Sequence, residues 1–251
     1  MAFDLSKTQI DKLGERLRRD SPSDADLVML DAYRRSFADA YEETVGLINY
    51  AVGLPTSGRP SKSTPSILEK LRRESIRLSQ IQDIAGCRIP LLNIEHQEEV
   101  LPLLIGAAKH HGFKTTIHDR RSNPSHGYRA VHVICHVMDR CVEIQIRTEL
   151  QHLWAQISEK LSDLFDPAIK YGGGEPRLRG VLDKFAKSIA DLEADEDEVL
   201  IMKRRIEGGE SDMIKDLHEL SQRVNKTRVE TSVALYNIQA GILRLTGEII
   251  D

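Results

Sequence analysis

The sequence has 251 residues, 35 of them basic and 39 acidic, for a formal net charge of −4. A chain of this length folds as one ordinary domain, or as one domain with a helical appendage, without covalent staples. With 40% apolar and 29% charged residues it is not broadly disordered, and the net acidity gives no bulk electrostatic support to nucleic-acid binding. No apolar run approaches the ~18 residues of a membrane span, and the charged segment MAFDLSKTQIDKLGERLRRD lacks the apolar stretch of a secretory signal. Three cysteines, Cys87, Cys135 and Cys141, are too few and odd in number for a disulfide framework, so a reduced cytoplasm is the expected compartment.

Residues 1–53 read as N-terminal helices. Ser21-Pro22-Ser23 and Asp24 supply a break and a cap, after which Leu30, Tyr33, Phe37, Tyr41, Val45 and Leu47 recur at helical spacing. Residues 54–63, LPTSGRPSKS, form a turn-rich linker. The next helix starts at Thr64 as its cap, with Pro65 in the first turn and Ile67, Leu68 and Leu71 facing a core. A short apolar segment, Ala85 to Pro90, precedes a helix over about 94–112 and a strand from Phe113 to His118.

Arg129–Val137 and Arg140–Thr148 flank Met138-Asp139 as a hairpin. Along its second strand Val142, Ile144 and Ile146 alternate with Glu143, Gln145 and Arg147, a pattern that a solvent-facing sheet surface would also give. The first strand puts Ala130, His132, Ile134 and His136 on one face, so His132 and Glu143 can share a polar surface. A helix from about Glu149 to Asp163 carries Leu150, Leu153, Trp154, Ile157 and Leu161 as its stripe. Residues 54–173 therefore read as the core region. Beyond them, residues 174–251 hold two long stripes, one from Leu178 to Val199 and one from Leu217 to Ile249, separated by Gly208-Gly209. They are expected to fold back as an antiparallel hairpin, although the same spacing also permits an oligomer contact.

The chemistry narrows by elimination. Seven of the nine histidines fall between His110 and His152, yet they form no zinc-protease motif, and the cysteines lack short paired spacing. No glycine-rich loop ends in Gly-Lys-Ser/Thr, which excludes a P-loop. Phosphate chemistry of another kind is left. Arg59, Lys62, Lys70, Arg72, Arg73 and Arg88 supply cations, although a solvated helix face accounts equally well for Lys70, Arg72 and Arg73. Asp83 and Glu143 can hold a hard metal, and Tyr128 can present a ring to a base.

Taken in order, SKSTPSILEKLRR (61–73), IQDIAGCRI (81–89), GYRAVHV (127–133), VEIQIRTELQHLWAQISEKL (142–161) and Lys170-Tyr171 resemble the synthetase domain of the RelA/SpoT alarmone enzymes. The resemblance covers about residues 30–171. Nothing in the sequence resembles the hydrolase or regulatory domains of the long members, so the chain is similar to a small, stand-alone synthetase. The fold it implies is α+β, a mixed sheet of about five strands flanked by helices, with N- and C-terminal helical extensions.

The activity implied is transfer of the β,γ-pyrophosphate of ATP to the ribose 3′-hydroxyl of GDP or GTP, making (p)ppGpp. The resemblance places Asp83 and Glu143 on Mg²⁺, with Glu143 also the base and His132 and Gln145 beside it. It assigns ATP to Arg59, Lys62, Ser66, Lys70 and Arg88, with Arg88 and Arg59 on the two faces of adenine, and it assigns the acceptor to Tyr128 and Arg147. The loop Asn123-Pro124-Ser125-His126-Gly127-Tyr128 lacks the Lys and Asn that family members use for the acceptor 5′-phosphates. Arg120, Arg121 and Arg129 can replace that charge, or the acceptor is a tRNA 3′-CCA end. In that alternative the protein is a growth-inhibiting toxin with an antitoxin partner, using a basic surface patch to which Arg16, Arg18 and Arg19 are available. A catalytically silent nucleotide-binding regulator is the reading from another class. A homo-oligomer is expected from the family and the C-terminal helices; a membrane partner is not.

Overall fold

The structure is a computed structural model that describes residues 5–19 and 21–247. The sequence stripe at Ile249 lies outside the described residues. Among the described residues, eight α-helices and five strands make an α+β fold, with the strands in one mixed sheet of order β1-β2-β5-β4-β3. The strands are β1 (Ser57–Arg59), β2 (Ala85–Leu91), β3 (Lys114–Asp119), β4 (Val131–Val137) and β5 (Arg140–Thr148). The helices are α1 (Lys7–Leu17), α2 (Asp24–Arg35), α3 (Ala38–Val52), α4 (Thr64–Arg73), α5 (Ile94–His110), α6 (Glu149–Leu164), α7 (Pro176–Glu207) and α8 (Ile214–Thr246).

Two compact units divide the chain. One comprises Met1–Ile89, Val100–His118 and His132–Ile146; the other comprises Pro90–Glu99, Asp119–Val131 and Arg147–Asp251.

In the first unit the largest fully buried side chains include Leu13, Leu30, Ile48, Ile67, Leu71, Ile84, Ile134 and Ile144. They come from both helices and strands, as expected where a sheet buries one face under helices. Met138 and Asp139, at φ 49° and 60°, both take the left-handed conformation that a two-residue β4–β5 turn demands. The hairpin matches the sequence pattern, except that its first strand starts at Val131 rather than Arg129, because residues 125–128 close a separate turn through the Tyr128 N–H and the Ser125 carbonyl.

Several local expectations move. The long N-terminal stripe is two helices, interrupted where Phe37 and Ser36 end α2; there Tyr33 and Phe37 stack edge to face, with Arg140 over both rings. Ser23 rather than Asp24 caps α2, and Ser63 rather than Thr64 caps α4. In each case the serine is extended and its Oγ accepts the N–H three residues on. The linker 54–63 contains strand β1. Gly58 makes it possible, since a Cβ there would stand 2.5 Å from the Gly86 carbonyl oxygen and 2.7 Å from Cys87 Cα.

In the second unit α7 and α8 pack antiparallel, pairing Asp195 with Arg223 and Glu196 with Arg228. Leu182, Ile189, Leu192 and Val199 of α7 and Leu220, Val224, Leu235 and Ile242 of α8 form one core with Leu150, Leu153, Trp154, Ile157 and Leu161 of α6. Most of both stripes therefore packs within the chain, while Leu245 stays exposed. Among the described residues no helix is long and apolar enough to cross a membrane.

Candidate active site

In the first unit, the β1–β2 pairing sets Ser57 opposite Arg88 and Arg59 opposite Gly86. Residues 57, 59, 86 and 88 consequently share one face of the sheet, with Arg59 and Arg88 as diagonal neighbours. Diagonal cross-strand side chains sit roughly 7 Å apart, the gap that one planar ring fills when stacked on both sides. Arg59 and Arg88 line a cleft with Gly58, Gly86, Cys87, Asp83, Glu143 and Gln145. Side chains larger than hydrogen at Gly58 or Gly86 would crowd this floor, since a Cβ on Gly86 would come within 3.1 Å of the Glu143 carbonyl oxygen.

Asp83 sits just before β2 and receives two ammonium groups, Lys62 Nζ at 2.7 Å and Lys70 Nζ at 3.0 Å. Lys62 is tied to the same segment by its backbone N–H, which donates to the Ile84 carbonyl. Lys70 lies one turn beyond Ser66 on α4, so the two share a face. The Ser66 hydroxyl lies at the helix N-terminus, 2.8 Å from Ser63 Oγ. Burial raises the Asp83 carboxyl, but the two lysines override it and bring it down to about 2. It is therefore an anion throughout the physiological range.

Glu143 occupies the polar face of β5. Its Oε1 lies 2.8 Å from His132 Nδ1, and its Oε2 accepts from Gln145 Nε2 at 2.5 Å. Burial raises its carboxyl and the neighbouring Asp83 charge adds to that. The hydrogen bond and charge of His132, with the Gln145 amide, outweigh both and leave it lowered. The structure thus brings together the His132–Glu143–Gln145 set that strand alternation allowed, and the Asp83–Lys62–Lys70 set that it did not reveal. The Cys87 side chain points to the opposite, buried face of β2, and burial pushes its thiol up to about 12, which removes it as a nucleophile.

The donor chemistry fits Mg²⁺. Asp83 and Glu143 present hard carboxylate oxygens to one cleft, and among the described residues no group of three or more His, Cys, Asp or Glu closes a cage. A cation that keeps waters and takes its other oxygens from substrate phosphates needs only such a pair, whose oxygens here are held by Lys62, Lys70, His132 and Gln145.

In the second unit, Arg147 donates through Nη2 to the Tyr128 hydroxyl at 2.8 Å, and its guanidinium carbon lies 5.0 Å from that ring's centre. Gly127, at φ 87°, brings the loop against Trp154; a Cβ there would stand 2.9 Å from the indole. The three arginines offered by the sequence for acceptor phosphates behave differently from one another. Arg121 is held by Asp119 and Glu98, both at 2.7 Å, and Arg129 by Glu193 at 2.6 Å. Arg120 is exposed, with its backbone N–H on the Ala130 carbonyl. Arg16 and Arg18 of the proposed basic patch are engaged internally: Arg16 pairs with Asp26, and Arg18 donates to the carbonyls of Leu71, in the last turn of α4, and Ile76, beyond it. Glu193 is a participant the sequence reading missed. Its signal was present, an acidic residue on the apolar stripe of α7.

Residues 58–162 match the family model described as the region found in RelA / SpoT proteins. An uncharacterized protein of Mycobacterium tuberculosis is 44% identical over 113 residues, which cover 44% of this chain and 41% of the relative. The GTP pyrophosphokinase YjbM of Bacillus subtilis is 34% identical over 133 residues, covering 46% of this chain and 56% of that protein. The chain spans about half the length of these curated relatives. In fold it is similar to the small alarmone synthetase 1 from Bacillus subtilis, with a TM-score of 0.53 at 24% identity over 73% of this chain and 100% of that one.

Proposed function

We propose that this chain, which carries a RelA/SpoT region over residues 58–162, is an ATP-dependent pyrophosphokinase that converts GDP or GTP into (p)ppGpp. The observation that carries the reading is the cleft in which two carboxylates, Asp83 and Glu143, stand with the paired arginines Arg59 and Arg88. Adenine stacks between the two guanidinium planes. Lys62, Lys70 and Ser66 take the phosphates, and in doing so the lysines exchange the Asp83 carboxylate for a more highly charged partner. Tyr128, held by Arg147, stacks on the acceptor base.

In the reaction the acceptor 3′-oxygen attacks the β-phosphorus of ATP, the bond from that phosphorus to the α-phosphate oxygen breaks, and AMP leaves. Glu143, ionised at neutral pH, takes the hydroxyl proton, while His132 and Gln145 hold its two oxygens in place. Asp83 and Glu143 would hold Mg²⁺, which when bound would supply charge stabilisation of the phosphate oxygens. Asp83, Glu143, His132 and Gln145 are the residues this reading assigns to the chemistry.

One observation favours a second acceptor. Arg121 and Arg129 are engaged by carboxylates of the protein, and the loop 123–128 lacks a lysine. That arrangement suits an acceptor without a 5′ di- or triphosphate, such as a tRNA 3′-end. The deciding experiment incubates the protein with Mg²⁺ and γ-labelled ATP, offering GDP, GTP, ATP and deacylated tRNA separately, with Glu143→Ala as control. Label on GDP or GTP is the expected result, and Glu143→Ala should abolish it while leaving the circular dichroism spectrum intact. Label on tRNA alone replaces the acceptor, and no transfer to any acceptor returns the chain to a nucleotide-binding regulator.

A further inference from the structure

Helix α7 lies outside the RelA/SpoT region, yet its buried stripe carries two carboxylates, Glu193 at 4% exposure and Glu196 at 7%. A buried carboxylate destabilises a fold unless it is well paired, so its partners show what it holds. Glu196 binds Arg228 of α8 and the backbone N–H of Ile94, which braces helices together. Glu193 has other partners. Its Oε2 accepts from Arg129 Nε at 2.6 Å, and its Oε1 accepts from Gln151 Nε2 at 2.7 Å.

Arg129 follows Tyr128 directly. Gln151 closes the capping box of α6 with Thr148, the residue after Arg147: the Thr148 N–H donates to Gln151 Oε1 at 3.0 Å, and the Gln151 N–H donates to Thr148 Oγ1 at 3.2 Å. One carboxylate thus grips the residue after Tyr128 directly and, through Gln151, the residue after Arg147. Seven residues earlier on the same helical face, Ala186 meets Gly127, where a Cβ would stand 2.8 Å from the Ala186 methyl. Helix α7 therefore contacts the loop on both sides of Tyr128.

From this geometry we infer that Glu193 is a positioning residue for acceptor recognition, holding the Tyr128 ring in place through Arg129 and Gln151. The inference rests on the proposal that Tyr128 receives the acceptor base. It also changes the part of Arg129, which becomes a strut for the loop rather than a ligand for acceptor phosphate.

Trp154 is the single tryptophan of the chain and its indole packs under Gly127, so its fluorescence reports on the loop without any substrate. The test compares wild type, Glu193→Ala and the volume-conserving Glu193→Gln, each alone and combined with Arg129→Ala. In the ligand-free proteins, acrylamide quenching of Trp154 should rise in both Glu193 variants. The acceptor KM should rise roughly tenfold while the ATP KM stays within about twofold. Both changes should be smaller in the Arg129→Ala background than in the wild type, because Arg129 carries one of the two contacts through which Glu193 acts. Unchanged quenching, parallel rises in both KM values, or a full additional effect in the Arg129→Ala background would overturn the inference. If the wild type transfers pyrophosphate to no acceptor, the functional reading falls by itself, and the quenching comparison still decides whether Glu193 positions the loop.

Discussion

Replacing Asp83 by Asn removes one charge from the centre of the cleft and leaves two ammonium groups facing each other. In the folded protein Lys62 and Lys70 hold the Asp83 carboxyl at about 2, against an ordinary value of 3.8. At about 1.4 kcal/mol per unit, that difference makes the ionised carboxylate worth roughly 2 kcal/mol of folding free energy at neutral pH. The side chain is 22% exposed, so solvent screening leaves most of this in place. Because the folded value lies below the unfolded one, the contribution is complete above the unfolded value of 3.8 and disappears as the pH falls through about 2. Urea unfolding followed by circular dichroism, at several pH values between about 7 and about 2, isolates the effect as the difference between wild type and Asp83→Asn. The gap should be roughly 2 kcal/mol at neutral pH and close towards zero at the acid end. A gap that stays constant with pH, or none at neutral pH, would refute the idea that the two lysines hold Asp83 ionised.

Tyr128→Ala should raise the acceptor KM roughly tenfold and leave the ATP KM little changed, since base stacking on an aromatic ring contributes about 1–3 kcal/mol; initial rates with each substrate varied in turn measure this. Gly127→Ala should lower stability by about 1–3 kcal/mol, because φ 87° is strained for alanine and the new methyl meets both Trp154 and Ala186. Thermal unfolding checks it, with Gly180→Ala, which has open space around it, as the control that should not destabilise.

The parts of this protein that its sequence determined are those governed by local periodicity. The alternation of Val142, Ile144 and Ile146 with Glu143 and Gln145 dictated a half-buried strand, and turn geometry at Met138-Asp139 set the hairpin that brings His132 beside Glu143. The long stripes of α7 and α8 likewise declared two helices with a buried face. Strand β1 was invisible, because three residues containing Gly58 carry no period; they become a strand only where β2 offers an edge and Gly58 permits close approach. That pairing, and not the spacing along the chain, is what puts Arg59 beside Arg88. The same holds for the charges. Arginines and carboxylates look interchangeable along a sequence, and only the packing of α7 decides that Arg129 answers to Glu193, 64 residues away. Ion pairing depends on distance in space and on burial, neither of which a chain position records.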